Sequence, residues 1–242
     1  MRPHWTALGA GLLVSVIVAA AAHAQTQQQV DWCDKEGATA DQTIDGCTAI
    51  ISSTGQSAKR LASSYNNRGL GYLQKGDNDR AIADFSDAIR LQPDYAFAYD
   101  NRGLAYDGKQ DYDRAIADFS EAIRLKPDNE SVYISRGLAY GAKQDYDHAI
   151  EDVSKAIQLN PNNWEYYNNR GIAYLQSGRF RRALADYNLA LKLDPNPANL
   201  LYGRGIAKLK TGDSAGAQSD ISAAKAIVPD IAEAFARIGI KP

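Results

Sequence analysis

The 242 residues carry 27 Lys and Arg against 29 Asp and Glu, a net charge of −2, with three His and two Cys. A balance this close to neutral gives no basis for nucleic-acid binding. Two thiols are too few ligands for a metal centre, and no His stands at metal-ligand spacing beside them.

At the start of the chain, Arg2 precedes an apolar run from Ala7 to Ala22, and Ala22-His23-Ala24 places small residues two apart. The pattern predicts a secretory signal peptide over residues 1–24 and an exported protein, periplasmic or secreted. A retained anchor is the alternative, but the run is short for a span of about 20 apolar residues. No Cys follows the cleavage point, so nothing suggests a lipoprotein, and Gln25 to Gln29 reads as a disordered leader. Cys33 and Cys47 are expected to pair, because export leads to an oxidising compartment and their spacing is not that of a redox C-x-x-C motif. Such a bridge could add about 3 kcal/mol in the chain-entropy picture.

The segment Asp41 to Ile51 aligns with sequence 38 residues further on, Ile44 with Ile82 and Cys47 with Phe85. Residues 25–61 are therefore expected to form a disulfide-stapled N-terminal cap, with Ser52 to Lys59 as its loop. From there a strict period takes over. Pro93, Pro127, Pro161, Pro195 and Pro229 recur every 34 residues, framing five units at 62–95, 96–129, 130–163, 164–197 and 198–231. A period of this size marks a stacked array of small supersecondary units.

Within the frame, position 4 holds Tyr65, Tyr99, Tyr133, Tyr167 and Leu201, position 8 an invariant Gly (Gly69, Gly103, Gly137, Gly171, Gly205), and position 11 Tyr72, Tyr106, Tyr140, Tyr174 and Lys208. Position 20 is always Ala, position 27 always Ala, and position 24 reads Phe85, Phe119, Val153, Tyr187 and Ile221. Both trios are spaced i, i+4, i+7, one face of a helix, so each unit is predicted to be two antiparallel helices. A helical Gly costs about 1 kcal/mol relative to Ala, and its place in every unit predicts a close approach by the second helix. Pro ends the second helix, and Asp94, Asp128, Asn162, Asn196 and Asp230 behind it stand where they could cap the next one.

These residues resemble the tetratricopeptide repeat, whose 34-residue pattern places an aromatic, Gly, Tyr, Ala, an aromatic and Pro at these offsets. The resemblance covers residues 62–231 and implies an all-α fold, a right-handed superhelical solenoid of helix-turn-helix units. Residues 232–242, with Phe235 and Gly239 at positions 4 and 8, read as a final solvating helix.

Position 7 departs from the family pattern, which expects Leu: it is Arg68, Arg102, Arg136, Arg170 and Arg204. Position 23 is Asp84, Asp118, Asp152, Asp186 and Asp220. One reading is a row of ligand-binding arginines. The other, which the repetition of both partners favours, is an internal ladder of bidentate ion pairs.

In the family, positions 2, 5, 6, 9 and 12 of the first helices face a concave groove that holds partner peptides. Carried over residue by residue, this implies a binding surface of Asn67, Leu70, Phe97, Asp100, Asn101, Leu104, Ile134, Leu138, Asn168, Asn169, Ile172 and Tyr202. A row of Asn can pair with the backbone of an extended peptide whatever its side chains; it can equally just solvate the groove. No Lys stands at positions 2, 5 or 6, so a carboxylate clamp for an acidic C-terminal tail is not expected.

No nucleophilic triad or phosphate-binding loop is present, and the repeated Gly fall inside helices. His148, the one His beyond the leader, stands at a predicted surface site, and Asn129-Glu130-Ser131 is a sequon of the kind common by chance. The expectation is a non-enzymatic scaffold without cofactor or metal, binding a protein or peptide partner. A subunit that self-associates, for which Ile227, Ile231 and Phe235 would be suspects, is the alternative.

Overall fold

The computed structural model describes residues 30–194 and 198–241, and every regular element of more than three residues among them is a helix. The expected signal segment 1–24 and leader 25–29 lie outside the described residues, as do Pro195 and Asn196. The chain divides into two compact units, Met1–Lys109 and Gln110–Pro242. The first holds α1 (Ala40–Ser52), α2 (Ala58–Gln74), α3 (Asn78–Leu91) and α4 (Ala96–Gly108). The second holds α5 (Tyr112–Leu125), α6 (Glu130–Ala142), α7 (Tyr146–Leu159), α8 (Trp164–Gln176), α9 (Phe180–Leu193), α10 (Ala198–Lys210), α11 (Ser214–Ile227) and α12 (Ile231–Arg237). None of these helices is long and apolar enough to cross a membrane.

The turn inside each repeat is built the same way. Position 15 takes a left-handed conformation, at Gly76, Gln110, Gln144, Gly178 and Gly212. Position 16 then caps the second helix: Asp77, Asp111, Asp145 and Asp213 each accept the N–H of the residue three further on. The capping acids are therefore here and not behind the Pro. Asp94, Asp128 and Asn162 sit one residue too early, because the Pro-Asp or Pro-Asn pair is spent on the turn, and the N-cap residues are Tyr95, Asn129 and Asn163. Asp230 is at an N-cap but its side chain accepts no capping bond.

The Gly column behaves as the spacing predicts. A Cβ on Gly69 would lie 2.7 Å from the Phe85 ring, on Gly171 2.9 Å from Tyr187, and on Gly205 2.7 Å from Ile221. Tyr187 also explains why position 6 is Gly203 in the fifth repeat. A Cβ there would stand 2.3 Å from the Tyr187 Cζ, so the longer ring occupies the space that a position-6 side chain takes elsewhere. The Tyr187 hydroxyl is fully buried and has no hydrogen-bond partner among the described residues.

The Arg and Asp columns form the internal ladder, and it reaches further than one repeat. Arg136 donates from Nε and Nη2 to the two Asp152 oxygens at 2.8 and 2.7 Å, and its Nη1 donates to the Ser120 hydroxyl of the preceding second helix at 2.9 Å. Arg170 repeats this with Asp186 and Ser154, Arg204 with Asp220 and Asn188, and Arg68 with Asp84 and Thr48. Arg102 reaches Ser86 in the same manner. The guanidinium groups lie over the position-4 tyrosines, as Arg68 does over Tyr65 at 5.5 Å. Arg68, Arg136 and Arg170 are held more firmly protonated than a free guanidinium, chiefly by the hydrogen bonds to their Asp partners. In the fifth repeat Lys208, standing where other units have Tyr, adds a second cation to Asp220 at 2.8 Å. A second series of surface bridges joins adjacent repeats: Lys75 to Asp41, Lys109 to Asp79 and Lys143 to Asp113.

Both chain ends copy the repeat. Cys33 and Cys47 form a disulfide, and α1, started by a capping box between Thr39 and Gln42, packs on α2 as a second helix would. Thr48 takes the role of the serines in the ladder, and Asp41 that of Asp79 in the bridges. At the other end Ile231, Phe235 and Ile240 are buried in the core of the second unit. Ile231 and Phe235 are thus not the exposed residues expected from the sequence. Gly239, at φ 80°, turns the chain back so that Ile240 can pack.

The ladder carries a direct test. Asp152→Ala leaves a half-buried guanidinium without its counter-charge, so thermal or urea unfolding is expected to show a loss of about 3 kcal/mol, the lower end of the range for buried pairs; an unchanged midpoint would remove the ladder from the account of stability.

Candidate functional site

The concave-face residues inferred from the sequence fall into two sets, one in each unit. In the first unit α2 supplies Asn67 and Leu70, and α4 supplies Phe97, Asp100, Asn101 and Leu104. Phe97 is 50% exposed and Leu104 38%, large apolar groups left in water by the fold. Asn67 and Leu70 are less available. They line a cavity of about 270 Å³ shared with the disulfide loop at Cys33 and Asp34.

The Asn residues there are occupied. Asn101 Nδ2 donates to Asn66 Oδ1 at 2.9 Å, Asn66 Nδ2 to Asn67 Oδ1 at 3.3 Å, and Asn67 Nδ2 to the Cys33 carbonyl at 3.0 Å. This chain of amides runs from α4 through α2 to the disulfide cap, which corrects the picture of a row waiting for peptide backbone. The pairing arises because positions 5 and 6 of adjacent repeats meet across the helix–helix joint.

In the second unit α6 supplies Ile134 and Leu138, α8 supplies Asn168, Asn169 and Ile172, and α10 supplies Tyr202. Leu138, Asn169 and Ile172 line one cavity of about 800 Å³, together with Tyr112, Tyr146 and Gln176 and with Arg237 at the end of α12 and Ile238 and Gly239 just after it. Leu138 is 54% exposed at this cavity. Ile134 packs instead against the Tyr133, Val153 and Tyr166 cluster. Tyr202 is buried, its ring 4.8 Å from Phe235 of α12, so the terminal helix covers it. Asn168 is buried too, and its Oδ1 has no hydrogen-bond partner among the described residues. The equivalent Asn66 is satisfied by an Asn at position 6 of the next repeat; Gly203 offers none.

The sequence reading missed Gln176, whose Nε2 donates to the Ile238 carbonyl at 2.8 Å and ties the terminal segment over the cavity. Tyr112 and Tyr146, equivalent residues at position 17 of their repeats, also line the cavity. Position 13 carried a signal for Gln176, since Gln74 and Gln176 are amides at equivalent places and each lines a cavity in its own unit. His148 stays outside the site, its Nδ1 2.7 Å from Asp145 and its ring stacked on Tyr140.

The tetratricopeptide repeat profile matches residues 66–130, 131–163 and 164–197. No curated protein matches the sequence. Among solved structures the chain is similar to YrrB, described as a TPR protein with an unusual peptide-binding site, at 22% identity over 81% of this chain and 100% of that one, with a TM-score of 0.67. A MamA fragment from Desulfovibrio magneticus RS-1 is similar at 19% identity over 69% and 94% of the two chains, TM-score 0.65. PilF of Pseudomonas aeruginosa follows at 20% identity over 70% and 77%, TM-score 0.61. At these identities the likeness is one of fold.

Asp100 gives α4 a titrating group. It shares one face of α4 with Leu104 and Asp107 at i, i+4, i+7 spacing. Burial pushes the Asp100 carboxyl up to about 6, and burial raises Asp107 as well. Between its unfolded value near 4 and about 6, the folded chain holds a proton that the unfolded chain has released. Asp100 therefore weakens the fold as pH rises through that window, and the whole cost is present above it. Asp100→Asn is expected to raise the melting temperature at pH 7.5 by roughly 3 °C and to leave it unchanged near pH 3.5. Melts at the two pH values check the difference.

Proposed function

Because the chain belongs to the tetratricopeptide repeat family, we propose that it is a non-enzymatic protein-interaction scaffold of the bacterial cell envelope that takes an extended partner segment on its concave first-helix faces. The observation that carries this is Leu138, more than half exposed at a largely apolar cavity of about 800 Å³ with Ile172 and Asn169 beside it. Phe97, Leu104 and the partly desolvated Asp100 offer a second apolar and polar surface in the first unit. The peptide-binding description of YrrB fits this use of the fold. The paired cysteines are compatible with export, as is the apolar N-terminal run read as a signal.

A second reading has its own observation. Leu159, Leu189, Leu193 and Ile227 are each 38–47% exposed on second helices, so a self-associating subunit would use that face. Ile231 and Phe235 are buried and do not contribute.

A photo-crosslinking residue introduced at Leu104 or Leu138 is expected to capture one and the same partner in cells, whereas one at Leu189 does not. Leu138→Asp should abolish the capture with unchanged melting. Capture from Leu189 alone, with a molecular mass in light scattering that grows with concentration, would replace the scaffold by the self-associating subunit.

A further inference from the structure

The turn between α8 and α9 breaks the rule that the other repeats keep. Positions 16 and 18 are Asp77 and Asp79, Asp111 and Asp113, Asp145 and Asp147 in the first three repeats, and Arg179 and Arg181 in the fourth. Three consequences follow in the structure. The second helix loses its side-chain cap, since Arg179 accepts nothing. Arg182 loses the position-16 carboxylate that Arg80 and His148 pair with in their own repeats. Finally, the bridge to the following repeat is gone, because the side chains from α10 and its end that face Arg181 are Lys210 and Thr211.

What replaces the bridge is a gathering of like charge. Arg179, Arg181, Arg182 and Lys210 line one open cavity of about 710 Å³ with Phe180 and Thr211. Arg179 reaches back to Asp147, and Arg182 lies over the Tyr174 ring at 5.9 Å. Among the described residues no carboxylate pairs with Arg181, Arg182 or Lys210. Arg179 gains the bridge to Asp147, but a cap worth about 1 kcal/mol is absent, and Arg181, Arg182 and Lys210 gather like charge where an ion pair stands at the other joints.

The geometry points to a binding site for a short acidic segment of a partner protein at the edge of the fourth and fifth repeats, distinct from the concave surface. Guanidinium forks suit carboxylates held in a bidentate manner, and the cavity is wide enough for several. The neighbouring turns carry Asp145 and Asp147 on one side and Asp213 on the other, so the positive surface is short. An extended anionic sheet such as a membrane, or a long nucleic acid, would meet those acids as well.

The test uses the full mature chain and a fluorescent hexaglutamate peptide, with binding read by anisotropy in about 100 mM salt. Saturable binding is expected, weakened about tenfold or more by Arg181→Asp, as the loss of one charge-assisted contact implies, and unchanged by Lys155→Asp on α7. Arg181→Asp by itself restores the position-18 acid of the other repeats beside Lys210 and leaves the Arg179–Asp147 bridge in place, so it should melt no lower than the parent while weakening the peptide. This readout keeps loss of binding separate from loss of fold. Equal weakening by Lys155→Asp, undiminished binding by Arg181→Asp, or binding to anionic phosphatidylglycerol vesicles without binding to the peptide would each overturn the proposal.

Discussion

Everything in this array hangs on the position-7 arginine. A Leu there would fill space between two helices; the Arg ties three. Two nitrogens close a bidentate pair with the Asp of its own second helix, and the third reaches the hydroxyl or amide of the second helix before it. A buried ion pair costs much desolvation and adds little net stability unless its remaining donors are satisfied. Here the third nitrogen is satisfied by the preceding repeat, so the solvation of the charge depends on the stacking being correct. A hydrophobic joint tolerates sliding, whereas a hydrogen-bonded fork does not. The pin therefore sets the spacing of the repeats it joins.

The repeat period made the helices, the Gly–aromatic contacts and the Arg–Asp pairs legible, because each rests on residues a fixed number of positions apart and recurring several times. Even the cap could be read, as Thr48 and Asp41 stand 38 residues before Ser86 and Asp79. Site accessibility was harder to read. Asn67, Asn101 and Tyr202 satisfy the pattern for concave exposure, yet two are drawn into the amide chain leading to Cys33 and the third lies under Phe235. Those outcomes depend on terminal segments that carry no period. The residues behind the Pro were read as caps one residue too early, and the capping acids at position 16 were passed over, since Pro-Asp and the Asp after the left-handed residue look equally good as helix starts until the backbone shows which is used for the bend.

The irregular residues are the informative ones. Lys208 replaces a Tyr and sets a second cation against Asp220; Arg179 and Arg181 replace capping and bridging acids; Gly203 replaces the position-6 side chain. The first substitution reinforces the ladder at the last repeat. The second surrenders local stability for an electrostatic feature that packing does not require. The third answers the size of one ring.

That third exchange limits how freely units can be traded. Tyr187 fits because the next repeat opens with Gly203, and Asn168 forgoes its amide partner for the same reason. If the fourth unit were duplicated, the ring would meet Asn169; if it were deleted, Val153 would face Gly203 across an unfilled gap. The fourth and fifth repeats are thus a matched pair with a fixed order, and recombination within the array is open at joints lacking such a pairing and closed at this one.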